Sequence, residues 1–149
     1  MPTSGRFAGD VHIFPVRIYF EDTDAGGIVY YANYLKFAER ARTEMMRLLG
    51  LDHGAVMKNE GWGFTVRDCR AEYLAPAMLD DVIEVHSRVT GVTGATISLD
   101  QIARRMGADL ARLHIRLAGR RVDGRPARLS PQLRAKLAAL ADASGQSTA

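Results

Sequence analysis

Between positions 34 and 49 the apolar side chains fall at the three-and-four spacing of one helix face: Tyr34, Phe37, Ala38, Ala41, Met45, Leu48 and Leu49. Lys36, Glu39, Arg40, Thr43, Glu44 and Arg47 take the other face, Asn33 fits the N-cap, and Gly50 fits the stop. Elsewhere the period is two. "VHIFPVRIYFE" sets Val16, Ile18 and Phe20 against Arg17 and Tyr19. "WGFTVRDCRAEYL" alternates in the same way, and "VIEVHSRVTGV" places Ile83, Val85, Ser87 and Val89 on one side. "TGATISLDQIARRM" follows after a glycine-containing turn, which predicts a hairpin. In "LARLHIRLAGRRV", Leu113, Ile115 and Leu117 alternate with Arg112, His114 and Arg116. "PQLRAKLAALA" predicts a short closing helix with Leu133, Leu137 and Leu140 aligned.

The predicted order is therefore one strand, one long helix, then four strands joined by short links. Links this short cannot carry parallel crossovers, so the sheet is expected to be mostly antiparallel. A lone amphipathic helix can bury its face only against that sheet, which must wrap around it. The 149 residues fit one domain, and no repeat or linker divides them. Residues 1–10 and the polar "DASGQSTA" at 142–149 read as disordered tails.

Composition narrows the function classes. Hydrophobic content is 47% and charged content 25%, which suits a packed globule rather than a disordered chain. No apolar run is long enough to span a bilayer, the first ten residues lack a signal-peptide core, and one cysteine cannot pair internally. These features point to the cytoplasm. The formal charge of +3 is carried mainly by scattered arginines, without the basic stripe and interleaved aromatics of a nucleic-acid binder.

"EDTDAGGIVYYANY" crowds Glu21, Asp22 and Asp24 just ahead of the long helix. Acidic residues cap turns and first helical turns, so a purely structural role is one reading. An Asp-x-Asp pair can also hold a hard cation, although no further ligand has convincing spacing. The third reading is a catalytic carboxylate beside the unpaired N–H groups of a helix terminus, where a carbonyl oxygen would be polarised.

The stretch from Val16 to Gly50 resembles the first motif of the hot-dog-fold acyl-CoA thioesterases in the 4-hydroxybenzoyl-CoA thioesterase superfamily. It is most similar to the Tol-Pal-associated branch, and "RDCRAEYLAPAMLDDVIEVHSRV" extends the likeness over roughly residues 14 to 130. The resemblance implies an α+β hot-dog fold, with a five-stranded, mostly antiparallel sheet wrapped around one long central helix. It implies hydrolysis of an acyl-CoA thioester with no cofactor and no metal, CoA being part of the substrate.

By position, the resemblance makes Asp24 the catalytic carboxylate, acting as nucleophile or as general base. Gly27 matches the glycine before the helix, and the backbone N–H of Tyr31 is the implied oxyanion donor. Ile28, Tyr30, Asn59, Trp62 and Phe64 are implied to line the substrate site, and Asp22 to hold the turn. The chain departs from the branch at Phe20, where tyrosine is usual, and at Tyr31, where histidine is usual. The basic hairpin that meets CoA phosphates in some relatives reads Gly91-Val92-Thr93-Gly94 here. The fold also implies a homo-oligomer, a dimer or a homotetramer, with the site at the subunit interface. An acyl carrier protein is an alternative donor of the acyl group, and a non-catalytic CoA-binding or envelope scaffold role is the rival from another class.

Other residues take blander roles. His12, His53, His86 and His114 are dispersed along the chain, and no Ser-His-Asp arrangement emerges. Cys69 lies mid-strand as filler, Tyr34 packs under the helix, and Met57 with Trp62 is placed to border an acyl chain. Arg120, Arg121, Arg125 and Arg128 form a basic group near the last turn, read as a solvated face with CoA phosphate contact as the alternative.

Overall fold

A computed structural model describes the backbone of residues 2–147 and the side chains of residues 2–143. In chain order the elements are β1 (Arg6–Ala8), β2 (Val11–Arg17), a 3-10 turn (Phe20–Asp22), α1 (Asn33–Leu48), α2 (His53–Glu60) and β3 (Trp62–Tyr73). They continue as β4 (Val82–Val92), β5 (Thr96–Arg105), β6 (Ala108–Arg121) and α3 (Pro131–Ser147). The strands form one antiparallel sheet in the order β1-β2-β4-β5-β6-β3.

The period-two pattern sets which sheet face meets α1. Ile83, Val85 and Val89 of β4, Ile97, Leu99 and Ala103 of β5, and Leu113, Ile115 and Leu117 of β6 are all buried. They pack with Tyr34, Phe37, Ala38, Ala41, Met45 and Met46 of α1 in one core. At ~1.5–3 kcal/mol for each large apolar side chain removed from water, this face supplies the main force for wrapping. The opposite face is polar, with Arg116 on Asp68 at 2.5 Å, Arg104 on Asp109 at 2.8 Å, and His114 bonded to Asp100.

One rung of the core is polar. His12, Ser87 and Gln101 stand opposite one another on β2, β4 and β5 and are wholly buried. Gln101 Nε2 donates to Ser87 Oγ (2.9 Å) and to the Ala38 carbonyl (3.0 Å), and Gln101 Oε1 accepts from Arg42 Nη1 (2.9 Å). Arg42 therefore lies on the buried face of α1, whereas Leu48 is 46% exposed at its end.

The sheet is as expected around its long helix, with six strands in place of five. Residues 6–8, expected in a loose leader, form β1 because Gly9 turns the chain back at φ 63° and pairs Arg6 with Ile13. The first long strand stops at Arg17, and Phe20–Asp22 closes into a 3-10 turn when Asp22 Oδ2 accepts from Tyr19 N at 2.8 Å. α2 was not expected; its weak amphipathic pattern hides it, and Asp52 caps it by accepting from Ala55 N at 3.2 Å. The closing helix runs through Ser147, so positions 142–147 of the expected tail are helical, and 148–149 lie outside the described residues. Asn33 is the first residue of α1 and Ala32 its N-cap. Among the described residues no helix is long and apolar enough to cross a membrane.

Candidate active site

Asp24 sits in a loop pinned at both ends. Its carboxylate Oδ1 accepts from Gly26 N at 2.8 Å, its carbonyl accepts from Gly27 N at 3.0 Å, and its own N–H donates to the Ile28 carbonyl at 2.8 Å. Gly27 adopts φ 79°, a left-handed conformation that costs a glycine nothing. One carboxylate oxygen is thus held by the turn while the residue stays exposed.

The acidic partner has a different task. Asp22 is nearly buried and locks the turn through Tyr19 N, while its carbonyl accepts from Tyr30 N (3.0 Å) and from Asn33 Nδ2 (2.8 Å). These bonds tie the Asp24 turn to the start of α1. Asn33 N donates to the Tyr30 carbonyl at 2.8 Å, and Ala32 offers no capping side chain. Among the described residues the N–H groups of Tyr31 and Ala32 have no acceptor, so the positive end of α1 is uncapped where the Asp24 turn joins it.

The loop after β3 forms the adjoining wall. Val29 N donates to the Ala77 carbonyl (2.8 Å), and Ala77 N donates to the buried Tyr34 hydroxyl (3.0 Å). Burial pushes the Tyr34 phenol above its usual pKa, so it remains a neutral hydroxyl. Asp81 Oδ2 holds the same loop by accepting from Met78 N (2.8 Å) and Arg105 Nη1 (2.5 Å); the Met78 bond, then Arg105, draws its pKa below the usual carboxylate range. Tyr31 meets Tyr30 at 4.8 Å and Tyr73 at 5.7 Å between ring centroids. Phe20, Tyr30, Tyr31, Tyr73, Leu74, Met78 and Leu79 are large apolar side chains left exposed on the flanking segments. Tyr73 carries no signal of its own along the chain, because its neighbour Tyr31 is distant in sequence.

The structure therefore brings Asp24, Gly27, Ile28, Tyr30 and Tyr31 together. It does not bring Asn59, Trp62 and Phe64 to them within one chain. Trp62 opens the 12-residue β3 and Tyr73 closes it, which puts roughly 30 Å of strand between Phe64 and Tyr73, and roughly 36 Å between Trp62 and Tyr73. Trp62 is buried, Asn59 is exposed on α2, and Phe64 packs on Trp62 (5.3 Å) and on His53 (5.9 Å). Cys69 lies within β3, as expected, and is exposed on this edge strand. In the basic group near the last turn, the Arg128 guanidinium lies against Gly94 and that of Arg120 against Gly124.

Residues 18–137 match the family model described as the thioesterase-like superfamily. The chain belongs to this superfamily. The acyl-CoA thioesterase YbgC of Haemophilus influenzae is 42% identical over 105 residues, covering 70% of this chain and 77% of that protein. The acyl-CoA thioester hydrolase YbgC of Escherichia coli O157:H7 is 48% identical over 88 residues, covering 59% of this chain and 65% of that protein. Among solved structures, a probable thioesterase from Bartonella henselae superposes with a TM-score of 0.78 at 31% identity, over 80% of this chain and 99% of the other. The thioesterase-like superfamily thus accounts for the hot-dog wrapping of the sheet around α1.

Proposed function

We propose that the protein hydrolyses acyl-CoA thioesters at the Asp24 turn, in a site completed by a second copy of the chain. The uncapped amides of Tyr31 and Ala32 at the start of α1, tied by the Tyr30–Asp22 backbone bond to the turn that holds the Asp24 carboxylate, are the observation that carries this reading. The thioester carbonyl oxygen rests on the Tyr31 N–H, where negative charge developing in the transition state is stabilised. The Asp24 carboxylate either attacks the carbonyl carbon, breaking the C–S bond to give a mixed anhydride and CoA thiolate, or takes a proton from the water that attacks. Hydrolysis of the anhydride, or collapse of the water adduct, yields free acid and CoA. The YbgC names of the two relatives support the acyl-CoA half of this reading.

The second copy enters through β3. This strand is paired with β6 on one side only, and a long free edge is a template for another strand. Two-fold antiparallel pairing of β3 with itself sets Trp62 of one copy beside Tyr73 of the other. Asn59, Trp62 and Phe64 of the partner subunit then approach Tyr31 and Asp24, closing the gap that one chain leaves open.

The deciding assay is thiol release from a panel of acyl-CoA and acyl-carrier-protein thioesters. Asp24→Asn is expected to lose at least ~10²-fold in kcat; equal rates would remove Asp24 from the chemistry. A single turnover in 18O-water that leaves label in Asp24 would establish nucleophilic attack, with water then opening the anhydride at the Asp24 acyl carbon. The shared site has its own test. Asp24→Asn and Phe64→Ala proteins, each impaired alone, should regain activity when their subunits are exchanged, because one hybrid site carries both native residues. No recovery on verified exchange would place the site within one chain.

A further inference from the structure

We propose that Asn33 is a positioning residue for thioester cleavage: its side-chain amide fixes the free N–H groups of Tyr31 and Ala32 relative to the Asp24 turn, and so sets the rate of the chemical step. The inference rests on the acyl-CoA reading above and adds to it a residue that acts through others.

Both parts of the site are measured from one atom, the Asp22 carbonyl oxygen. Two residues further along the chain stands Asp24, whose carboxylate is held by Gly26 N at 2.8 Å. On the helix side the same oxygen accepts from Tyr30 N at 3.0 Å and from Asn33 Nδ2 at 2.8 Å. Asp22 is itself anchored: its N–H donates to the Tyr19 carbonyl at 3.0 Å, and its carboxylate accepts from Tyr19 N at 2.8 Å.

Tyr30 to Asn33 form a turn, closed by Asn33 N donating to the Tyr30 carbonyl at 2.8 Å. Tyr31 and Ala32, whose amides lack acceptors, are its central residues. One bond, from Tyr30 N, would leave this turn free to rock about a single point. Asn33, at its other end, grips the same oxygen, and two bonds from the two ends fix its orientation. Both lone pairs of the Asp22 carbonyl are then used. The bond is not a helix cap: it reaches 11 residues back along the chain, and Ala32 holds the N-cap position. The hydrogen bonds of α1 therefore do not depend on it, whereas the aim of the two free amides does. A carbonyl only accepts, so Asn33 must turn its nitrogen toward Asp22. An ionised aspartate at position 33 cannot make this bond, and it sets negative charge next to amides that receive a developing oxyanion.

The probe is the acyl-CoA that native protein hydrolyses fastest in the thiol-release panel. Asn33→Ala should lower kcat ~10–10²-fold, the scale for reacting groups displaced by about 1 Å, with KM little changed. Asn33→Asp should lower kcat at least as far, yet its thermal midpoint should match or exceed that of Asn33→Ala, because an acidic group suits the first turn of a helix. A third readout is spectroscopic. In Asp24→Asn protein the bound thioester stays intact, and its carbonyl infrared stretch should lie below that of free acyl-CoA; adding Asn33→Ala should remove most of that shift. An unchanged kcat in Asn33→Ala, a rise in KM at constant kcat, or an unchanged carbonyl shift overturns the assignment and leaves the thioesterase reading standing. A kcat that recovers with stability in Asn33→Asp also overturns it, by making Asn33 a helix-start residue only. No turnover of any acyl-CoA, or equal rates in Asp24→Asn, overturns the reading beneath it before Asn33 is touched. Should Asn33→Ala not fold, Asn33→Asp decides by the same rate and carbonyl shift.

Discussion

At the scale of single residues, Tyr34 links core and site. Its hydroxyl is the acceptor for Ala77 N, in a loop that also receives Val29. Tyr34→Phe leaves that amide unpaired, and a loss of ~1–3 kcal/mol in urea-induced unfolding is expected. Gly119 tolerates less. A Cβ there would lie 2.3 Å from the Ala127 carbonyl oxygen, a backbone atom that cannot step aside. Gly119→Ala is expected to destabilise by at least ~2 kcal/mol, read from the thermal midpoint. The Asp24 turn was legible in the sequence because it is local: carboxylate, glycines and helix start are close neighbours along the chain. Arg42 was not. Helical spacing alone does not say that Gln101, 59 residues away, turns an arginine inward. Tyr73 escaped for the same reason, since its ring meets Tyr31 and Tyr34 only after β3 is in place.

Among the elements, α1 and the central strands were legible because their periodicity and their burial agree. α2 was not, since it buries only Val56 and owes its start to the Asp52 cap. Asp52→Ala should therefore cost about 1 kcal/mol. The loss should concentrate in α2, as faster amide exchange there with the sheet protected. β1 was missed because three residues carry too little pattern to register, and its pairing depends on the Gly9 turn. The early end of β2 has a similar origin: the Asp22 carboxylate captures Tyr19 N, which alternation of side chains does not foretell.

For the whole molecule, the buried histidines set the pH response. Burial holds His12 below its ordinary pKa of 6.5, and its Nδ1 has no hydrogen-bond partner among the described residues; His53 is shifted in the same direction. Above pH ~6.5 both rings are neutral folded or unfolded, and stability is at its full value. As pH falls below that, the unfolded chain takes up protons that the folded one refuses, so stability is lost. The urea midpoint should drop between about pH 7 and pH 5, and His12→Gln should flatten that slope. A midpoint that rose on acidification would contradict the burial of these rings.

The two borders of the sheet are unequal, and this limits growth. One is the three-residue β1, the other the 12-residue β3. When two copies join along their long borders, only the stubs face outward, too brief to recruit a third. Under the proposed β3 pairing, the ribbon would terminate itself at two chains, short of a fibre.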